Sequence, residues 1–594
     1  MSDAQRPESV IAGKVAPVRP MAVLIVLTLA LITFATRWLL RCDYLLQWDT
    51  LQSAAAISYY DVSLQLPHPP GAPVYAALLR IIGLVVANPH EAVLLTSSLA
   101  DGVAAALIFT VGSLAISMRA GLLSSLLYLL SPLACHSATI GLTFGLDVSL
   151  GGAVALTAVL MRQRPTRVKA MLLGIVVALA LGARYNPNWA SMALVPLAVY
   201  GLRYGTGRHC VVFLCSVALV VALWALPVVL SHTGGQGYIA TVADSFYRYS
   251  WNPSAASVAL ADGVGAGAKT WMASLAKYLT YVAKALGAAL LLLPFSLVPP
   301  RARFAFREHM PWGLVAVWVL PAVLATAFGN NHMNEYLAVS FPPLTMVASI
   351  GVLRAAGLTR SLLVPLRIPR FRGEDRLEGA FAVSHVIVLA IVDLTLLILL
   401  VSLDASHSRS MNGRVLTSMR AQLRKPGEPF RHGEQALHFL HAVETGCKDD
   451  KALVLAKNRY EFLVLSLYAP QYVSLHVAVE NDRCLAQFST NHQYKTQVFT
   501  TDTSLPLPAD LEVFYAPDHL AGSELKLPET MRETLATPHE AVALGETHAY
   551  NVSGDQLRLR WSGDSFLLLA TRLSGDVETA HTAAARTVVP RGDE

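Results

Sequence analysis

The chain has 594 residues, of which 54% are hydrophobic and 14% charged, and its mean hydropathy is +0.47. Soluble proteins carry about 25% charged residues, so this composition excludes a wholly soluble protein. The formal net charge of +6 does not indicate nucleic-acid binding, because the basic residues form short clusters between apolar runs rather than a stripe with interleaved aromatic residues.

Long apolar runs recur up to about Leu403, after which the sequence becomes mixed and polar. A helix needs roughly 20 apolar residues to cross a ~30 Å hydrocarbon layer. Residues 1–20 form a short cytoplasmic tail, and the run after it is too long for a signal-peptide core, which predicts an uncleaved first span. The predicted spans are roughly 21–41, 91–117, 121–136, 140–161, 169–184, 188–203, 209–231, 272–298, 312–329, 335–357 and 380–404.

The short apolar segment 72–87 decides the topology, because it follows two prolines and can be counted in two ways. Counted as a crossing, it places the basic loop 162–169 outside. Counted as an interfacial or re-entrant helix, it places four basic loops on the N-terminal side, namely 162–169, 203–209, 301–307 and 354–376. The positive-inside rule favours the second count. We therefore predict eleven spans in a membrane domain over 21–404, a cytoplasmic N-terminus, and a bacterial inner-membrane location.

The first outer loop, 42–90, contains the most informative residues. Asp49 follows Trp48 shortly after the first span, where an ionised carboxylate is costly unless it faces water, a partner or a metal. A solvated loop carboxylate is the simpler alternative. His68 opens the sequence His-Pro-Pro-Gly, in which two prolines prevent a helix and produce a stiff turn into the next apolar segment.

An acidic residue after the first span, followed by His-Pro-Pro-Gly and an apolar juxtamembrane helix, resembles the GT-C class of membrane glycosyltransferases. The protein O-mannosyltransferase-like and lipid A aminoarabinose transferase-like branch is the most similar. The resemblance covers about 20–200 and is weaker from there to 404, where Asn334–Leu344 resembles a late Tyr-Pro segment of the family. It implies a polytopic α-helical GT-C-like fold, a polyprenyl-phosphate-linked sugar donor, inverting transfer at the outer face, and Asp49 as general base.

The chain departs from the family pattern in three places. Asp49-Thr50-Leu51-Gln52 stands where relatives often have Asp-Ser-Gly-Glu, so the second carboxylate is lost. The spacing from Asp49 to His68 is a little longer than in the most similar members of the family. His332 and Glu335 stand where relatives often have Lys or Arg near the tyrosine, here Tyr336.

Further candidate substrate-binding residues lie along the membrane domain. Asp147 lies within a span, where a carboxylate is either functional or packs helices beside Gly145. Arg184 and Tyr185 end a span on the outer side, where Arg binds phosphate through its fork of donors or anchors the helix at the interface. Three more candidates share the late segment and, with Asp49, could hold a divalent cation, although no tight ligand spacing is present: His332, Glu335 and Tyr336.

Residues 405–594 are predicted to form a soluble extracytoplasmic α/β domain. The pattern predicts a helix over 434–446, a strand over 452–457, a helix over 458–470, a strand over 472–480, and β-rich segments after them. Cys447 and Cys484 are its only cysteines, and whether they pair is not deducible from sequence.

Two other functions fit part of this evidence. Eleven spans and an intramembrane Asp147 would suit a transporter or flippase of a lipid-linked glycan, although no inverted repeat is visible in the hydropathy. A non-catalytic membrane scaffold that displays its C-terminal domain is the third possibility. For a transferase, the sequence does not identify the sugar, the acceptor (protein, lipid or glycan) or the oligomeric state.

Overall fold

The structure is a computed structural model of the whole chain. It describes residues 20–183 except 43, 46, 63–65, 69 and 70, and then 190–231, 237–247, 255–297, 310–325 and 338–363. Beyond these it describes 384, 387, 388, 440, 443 and, from 452 to 572, the strands and the helix given below with a few adjoining residues.

The chain divides into two compact units that are each discontinuous in sequence. The first comprises Met1–Leu45 and Asp61–Pro426, and the second comprises Leu46–Tyr60 and Gly427–Glu594. Part of the first loop therefore groups with the C-terminal unit. The predicted boundary between 404 and 405 lies outside the described residues and stays a prediction.

The helices of the first 363 residues follow one another with short connections. They are α1 (Pro20–Leu39), α2 (Trp48–Ser58), α3 (Pro73–Gly83), α4 (Pro89–Ala115), α5 (Met118–Leu129), α6 (Pro132–Thr139), α7 (Phe144–Gln163), α8 (Arg167–Ala183), α9 (Ala190–Leu202), α10 (Gly207–Ser231), α11 (Tyr238–Phe246), α12 (Ala255–Asp262), α13 (Val264–Leu286), a 3₁₀ helix (Gly287–Leu297), α14 (Trp312–Ala325) and α15 (Phe341–Leu363). All except α2 belong to the first unit.

Several of these helices have the length and composition of membrane spans. Within the described ranges, five helical stretches pass this test: α1, α4, α7, Gly207–Leu230 of α10, and Ala338–Ala356, which includes most of α15. The exposed face of α10 carries Leu214, Leu219 and Leu223, with exposed fractions of 61%, 63% and 68%. A helix in a soluble protein would bury such a face. The predicted character of the chain is confirmed at this level: it is a largely helical integral membrane protein.

The described residues do not confirm the predicted count of eleven spans. The segment predicted to be a single span over 121–136 consists of α5 and α6, which are bent by 55° relative to each other. Pro132 cannot continue the hydrogen bonding of α5, and the Ser131 hydroxyl accepts the Ala134 N–H at 3.3 Å to begin a new helix. α8, α9 and α14 cover parts of the predicted spans 169–184, 188–203 and 312–329, and each adjoins residues that the structure does not describe, so these three spans stay predictions.

The segment 72–87, predicted to be interfacial or re-entrant, forms the 11-residue helix α3. Its length of about 16 Å is well short of a ~30 Å hydrocarbon layer, which agrees with leaving it out of the span count. One face, with Tyr75, Ala76 and Leu79, is buried. Its C-terminal end exposes Ile81.

A buried ion pair joins the N-terminal helices of the first unit. Arg37 of α1 donates from Nε to Asp101 Oδ2 of α4 at 2.7 Å, and the two side chains are 3% and 0% exposed. The second guanidinium contact is with the Leu129 carbonyl at the end of α5, at 2.8 Å. The Tyr128 hydroxyl donates to the other carboxylate oxygen of Asp101. Each charged group therefore has hydrogen-bond partners besides its counterion.

Close backbone contacts allow this network to form. A Cβ added to Gly102 of α4 would lie 2.7 Å from the Ala30 carbonyl oxygen of α1, and one added to Gly145 of α7 would lie 2.8 Å from the Asp101 backbone nitrogen. Glycine at these two positions lets α1 and α7 approach α4 from two sides. Ser149 of α7 also donates to the Ala100 carbonyl at 2.5 Å.

The second unit contains two sheets. The larger has the order β4-β3-β2-β1-β6-β8, in which β1 (Ala452–Leu455) is parallel to β2 (Val473–Glu480) and to β6 (Glu512–Tyr515). The remaining strands of that sheet, which pair antiparallel, are β3 (Arg483–Thr490), β4 (Gln493–Phe499) and β8 (His548–Asn551). The smaller sheet has the order β5-β9-β10-β7, formed by Ser504–Pro506, Asp555–Trp561, Phe566–Arg572 and Leu525–Lys526.

Helix α16 (Arg459–Tyr468) connects β1 to β2, as the sequence pattern over 452–480 predicts. The predicted helix over 434–446 lies outside the described residues apart from Leu440 and Val443. Cys447 also lies outside them, so its pairing with Cys484 of β3 stays open.

We expect Arg37→Met and Asp101→Asn to lower the melting temperature of the detergent-purified protein strongly. Each single change leaves a buried charge or polar group uncompensated, at a cost of roughly 3–5 kcal/mol. The double variant Arg37→Met/Asp101→Asn should lose less than the sum of the two.

The matched control is Arg41→Met, because Arg41 pairs with Glu91 at 3.3 Å where the two side chains are 34% and 30% exposed. Partly exposed pairs contribute about 0–1 kcal/mol. Single variants of the buried pair that melt like the Arg41 variant would contradict the proposed role of the network.

Candidate active site

Asp49 lies in the first turn of α2, in the second unit. The helix begins at Trp48 after the extended residue Gln47, and Asp49 is half-buried while the next seven residues, 50–56, are all buried. The Thr50 hydroxyl donates to the Gln47 carbonyl at 2.8 Å, and the Ser53 hydroxyl donates to the Asp49 carbonyl at 2.6 Å. These bonds fix the turn and leave the partly exposed carboxylate as its one charged group.

α2 is buried over residues 50–56 and packs within its own unit. Ala54, Ala55 and Ala56 are at most 2% exposed. The helix contacts α16 and β4, so elements from the C-terminal half hold the segment that carries Asp49.

Gln52 follows Asp49 by three residues, a spacing that places both on the same side of a helix. It is 0% exposed, and neither its amide oxygen nor its amide nitrogen has a hydrogen-bond partner. The glutamate that relatives often have here would carry a charge into the same environment. Burying an unpaired charge costs far more than burying a neutral amide, which gives a physical reason for glutamine at this position.

The turn that carries His68 lies in the first unit and leads into α3. Asp61 and Leu66 exchange backbone hydrogen bonds of 2.7 and 2.9 Å, and the Gly71 N–H donates to the His68 carbonyl at 2.9 Å. Gly71 has a φ of +100°, a conformation that favours glycine. Pro73 then begins α3 at a position where its missing N–H has no cost. The half-buried His68 is thus held at the start of an amphipathic helix.

Asp147 lies in the first turn of α7 and is 7% exposed. Gly145, two residues before it, contacts the backbone of Asp101 on α4. The packing alternative raised by the sequence has this close approach in its favour, and the substrate-binding role of Asp147 stays a prediction.

The predicted site residues that the structure describes fall in two different compact units. Asp49 belongs to the second unit, while His68 and Asp147 belong to the first. The other five candidates lie outside the described residues: Arg184, Tyr185, His332, Glu335 and Tyr336. Their roles stay predictions.

The sequence left open a divalent cation held by Asp49 with His332, Glu335 and Tyr336, and of these residues the structure describes only Asp49. Within the ranges it does describe, no group of three or more His, Cys, Asp or Glu side chains is arranged to hold a metal ion. Because His332 and Glu335 are outside those ranges, a divalent cation remains an open prediction.

The sequence interpretation missed Arg37, Asp101 and Tyr128. A signal for the first two was present, because each is an ionisable residue inside a predicted span and their charges are opposite. Tyr128 carried no such signal, because tyrosine is common near the ends of membrane helices.

Comparison with known proteins gives structural neighbours only. No protein-family model and no curated protein matches the chain. The solved structures that are similar include ArnT from Cupriavidus metallidurans bound to undecaprenyl phosphate, with 12% identity and a TM-score of 0.44 over 84% of this chain and 94% of that one. An apo structure of the same ArnT has 12% identity and a TM-score of 0.41, over 75% and 84% of the two chains.

A third neighbour is the archaeal oligosaccharyltransferase AglB from Archaeoglobus fulgidus, in complex with an inhibitory peptide and a dolichol-phosphate. It has 11% identity and a TM-score of 0.38, over 75% of this chain and 63% of that one. With TM-scores below 0.5, these neighbours add no argument for the reaction or for the role of any residue.

We expect Gln52→Met not to lower the stability of the protein and Thr50→Val to lower it. The first removes two unpaired buried polar atoms at nearly constant volume, and should leave the free energy of unfolding unchanged or raise it by about 1–3 kcal/mol. The second removes a hydroxyl that makes a hydrogen bond, and should lower it by about 0.5–1.5 kcal/mol.

The measurement is the melting temperature of each purified variant in the same detergent. Thr50→Val is the matched control, because it lies on the same helix and also replaces a buried polar side chain with an apolar one. A Gln52 variant that is destabilised as much as the Thr50 variant would mean that the amide is hydrogen-bonded in the folded protein.

Proposed function

We propose that the protein is a glycosyltransferase that moves a sugar from a polyprenyl-phosphate donor to an acceptor at the outer face of the membrane, with Asp49 as the general base. The observation that carries the proposal is the setting of Asp49. It is a half-buried carboxylate in the first turn of a helix that starts soon after the first span ends at Leu39. The sequence resemblance to GT-C enzymes assigns the same residue this role.

The membrane character of the chain suits such a donor. A polyprenyl chain stays in the bilayer, so the enzyme that uses it must bring its catalytic residues to the membrane surface. Asp49 is separated from the end of α1 only by residues 40–48.

The reaction we propose is a single displacement. The acceptor hydroxyl or amine attacks the anomeric carbon, the bond from that carbon to the phosphate oxygen breaks, and polyprenyl phosphate leaves with the electron pair. Asp49 takes the proton from the acceptor, a contribution of typically ~10²–10⁴-fold. The configuration at the anomeric carbon inverts.

One carboxylate is enough for this chemistry. The phosphate is a good leaving group, so no strong acid is needed opposite the base. Gln52 supports the proposal, because its neutral amide leaves Asp49 as the single carboxylate of the turn. A positive group must stabilise the departing phosphate. For that role we propose Arg184 or a divalent cation bound through His332 and Glu335.

We expect Asp49→Asn to lower sugar transfer by about 10²–10⁴-fold with little change in the KM for the donor, because a general base acts on the acceptor proton. The assay follows labelled sugar from undecaprenyl-phosphate-linked mannose, glucose or aminoarabinose onto lipid A, peptide or oligosaccharide acceptors. The purified full-length protein is used in detergent.

Asp61→Asn is the matched control, since it removes a carboxylate from the same loop and should transfer at close to the wild-type rate. Equal rates for the Asp49 and Asp61 variants would overturn the role of Asp49. No transfer by the wild-type protein from any of the three donors would count against the glycosyltransferase assignment.

A further inference from the structure

One end of the first unit carries a dense positive surface that the proposed reaction does not use. It is formed by the α7–α8 connection and the α9–α10 connection, which we call the basic end. No aspartate or glutamate occurs anywhere from 148 to 243. The basic residues of the two connections are Arg162, Arg164, Arg167, Lys169, Arg203 and Arg208.

The two connections form one continuous surface. The guanidinium carbon of Arg162 lies 4.5 Å from the ring centroid of Tyr200 and 5.2 Å from that of Tyr204. Arg162, at the end of α7, therefore stacks on one ring of α9 and on one ring of the α9–α10 connection. A Cβ added to Gly205 would lie 3.3 Å from the Cε of Met161. The helices that flank the connections also pack together, α7 with α9 and α8 with α10.

Internal hydrogen bonds hold the backbone of the basic end. Lys169 donates from Nζ to the carbonyls of Leu160 and Arg164, both at 2.9 Å. The Thr206 N–H donates to His209 Nδ1 at 2.9 Å. Ordered loops that present charge lose less conformational entropy on binding a ligand than loose ones do.

Three arginines of this surface are exposed and, within the described part of the chain, are not paired with a carboxylate. Arg164, Arg203 and Arg208 are exposed. Among the residues that the structure describes, none of these three arginines forms an ion pair with a carboxylate. The positive charge is therefore available to an external anion.

An apolar surface begins directly beside this charge. Val168 of α8 is 61% exposed, and Val211 and Leu214, one turn apart on α10, are 60% and 61% exposed. A soluble anion would use only the charged part of the surface. A molecule with an anionic head and apolar chains would use both parts.

We propose that the basic end binds an anionic phospholipid. The phosphate lies among Arg164, Arg203 and Arg208, and the acyl chains lie along the exposed face that begins at Val211. Basic clusters at the ends of membrane helices attract anionic headgroups in this way. The basic end is on the side that the charge distribution predicts to be cytoplasmic, so the lipid belongs to the inner leaflet.

The test compares lipid binding by purified full-length protein in a neutral detergent. Phosphatidylglycerol or phosphatidylethanolamine with the same acyl chains is added, and bound lipid is counted by native mass spectrometry. We expect the wild-type protein to prefer phosphatidylglycerol, and Arg164→Gln/Arg208→Gln to reduce that preference roughly 10- to 30-fold. Arg164→Lys/Arg208→Lys should retain most of it, because the charge is kept.

The matched control is Arg80→Gln/Lys269→Gln, which removes two exposed charges elsewhere on the first unit and should leave the preference unchanged. For the wild-type protein alone, raising NaCl from about 0.05 M to about 0.5 M should weaken phosphatidylglycerol binding but not phosphatidylethanolamine binding.

Equal binding of the two lipids by the wild-type protein would overturn the proposal, as would an equal loss in the control variant. Displacement of phosphatidylglycerol by an equal concentration of glycerol 3-phosphate would show a site for soluble anions instead. The readout is binding, so these outcomes are independent of whether the protein transfers sugar.

Discussion

The buried ion pair between Arg37 and Asp101 is the interaction on which the first unit depends. Two charges in an apolar interior are tolerated only when they meet each other and their remaining hydrogen-bonding capacity is satisfied. Here the Tyr128 hydroxyl and the Leu129 carbonyl supply those further contacts. The pair thereby fixes α1, α4 and the end of α5 relative to one another, and α7 approaches the same carboxylate-bearing residue through Gly145. The end of α1, from which the loop with Asp49 departs, is held by this cluster.

The same geometry bears on the transporter alternative. Ionisable residues that lie on a transport path must exchange partners with a substrate or ion. Arg37 and Asp101 are almost fully buried and bind each other and two neighbouring groups, an arrangement that suits a permanent helix contact. The basic end, in contrast, carries exposed charge at Arg164, Arg203 and Arg208. The buried pair therefore gives no support to a transport path through the first unit.

Sequence alone predicts the helical elements well where apolar runs are long, as for α1, α4, α7 and α10. It fails at the break between α5 and α6, because the long apolar run outweighs the Ser131-Pro132 pair, which is a sequence signal for a new helix start. Asp49 and His68 are identifiable from local motifs. The grouping of α2 with the C-terminal unit is not, since it depends on contacts with α16 and β4 hundreds of residues away. The burial of Gln52 follows from the same distant contacts, so the sequence near Gln52 does not predict it.

The membership of α2 in the second unit has a consequence for the order in which the chain folds. Translation proceeds at about 5–20 residues per second, so strand β1 leaves the ribosome roughly 20–80 s after a helix that precedes it by about 390 residues. During that interval the apolar face of α2, with its three consecutive alanines, lacks the surface that later buries it. The nascent protein must therefore insert most of its membrane helices while the segment carrying Asp49 is still incomplete. The loop that carries Asp49 would be among the last parts of the protein to mature.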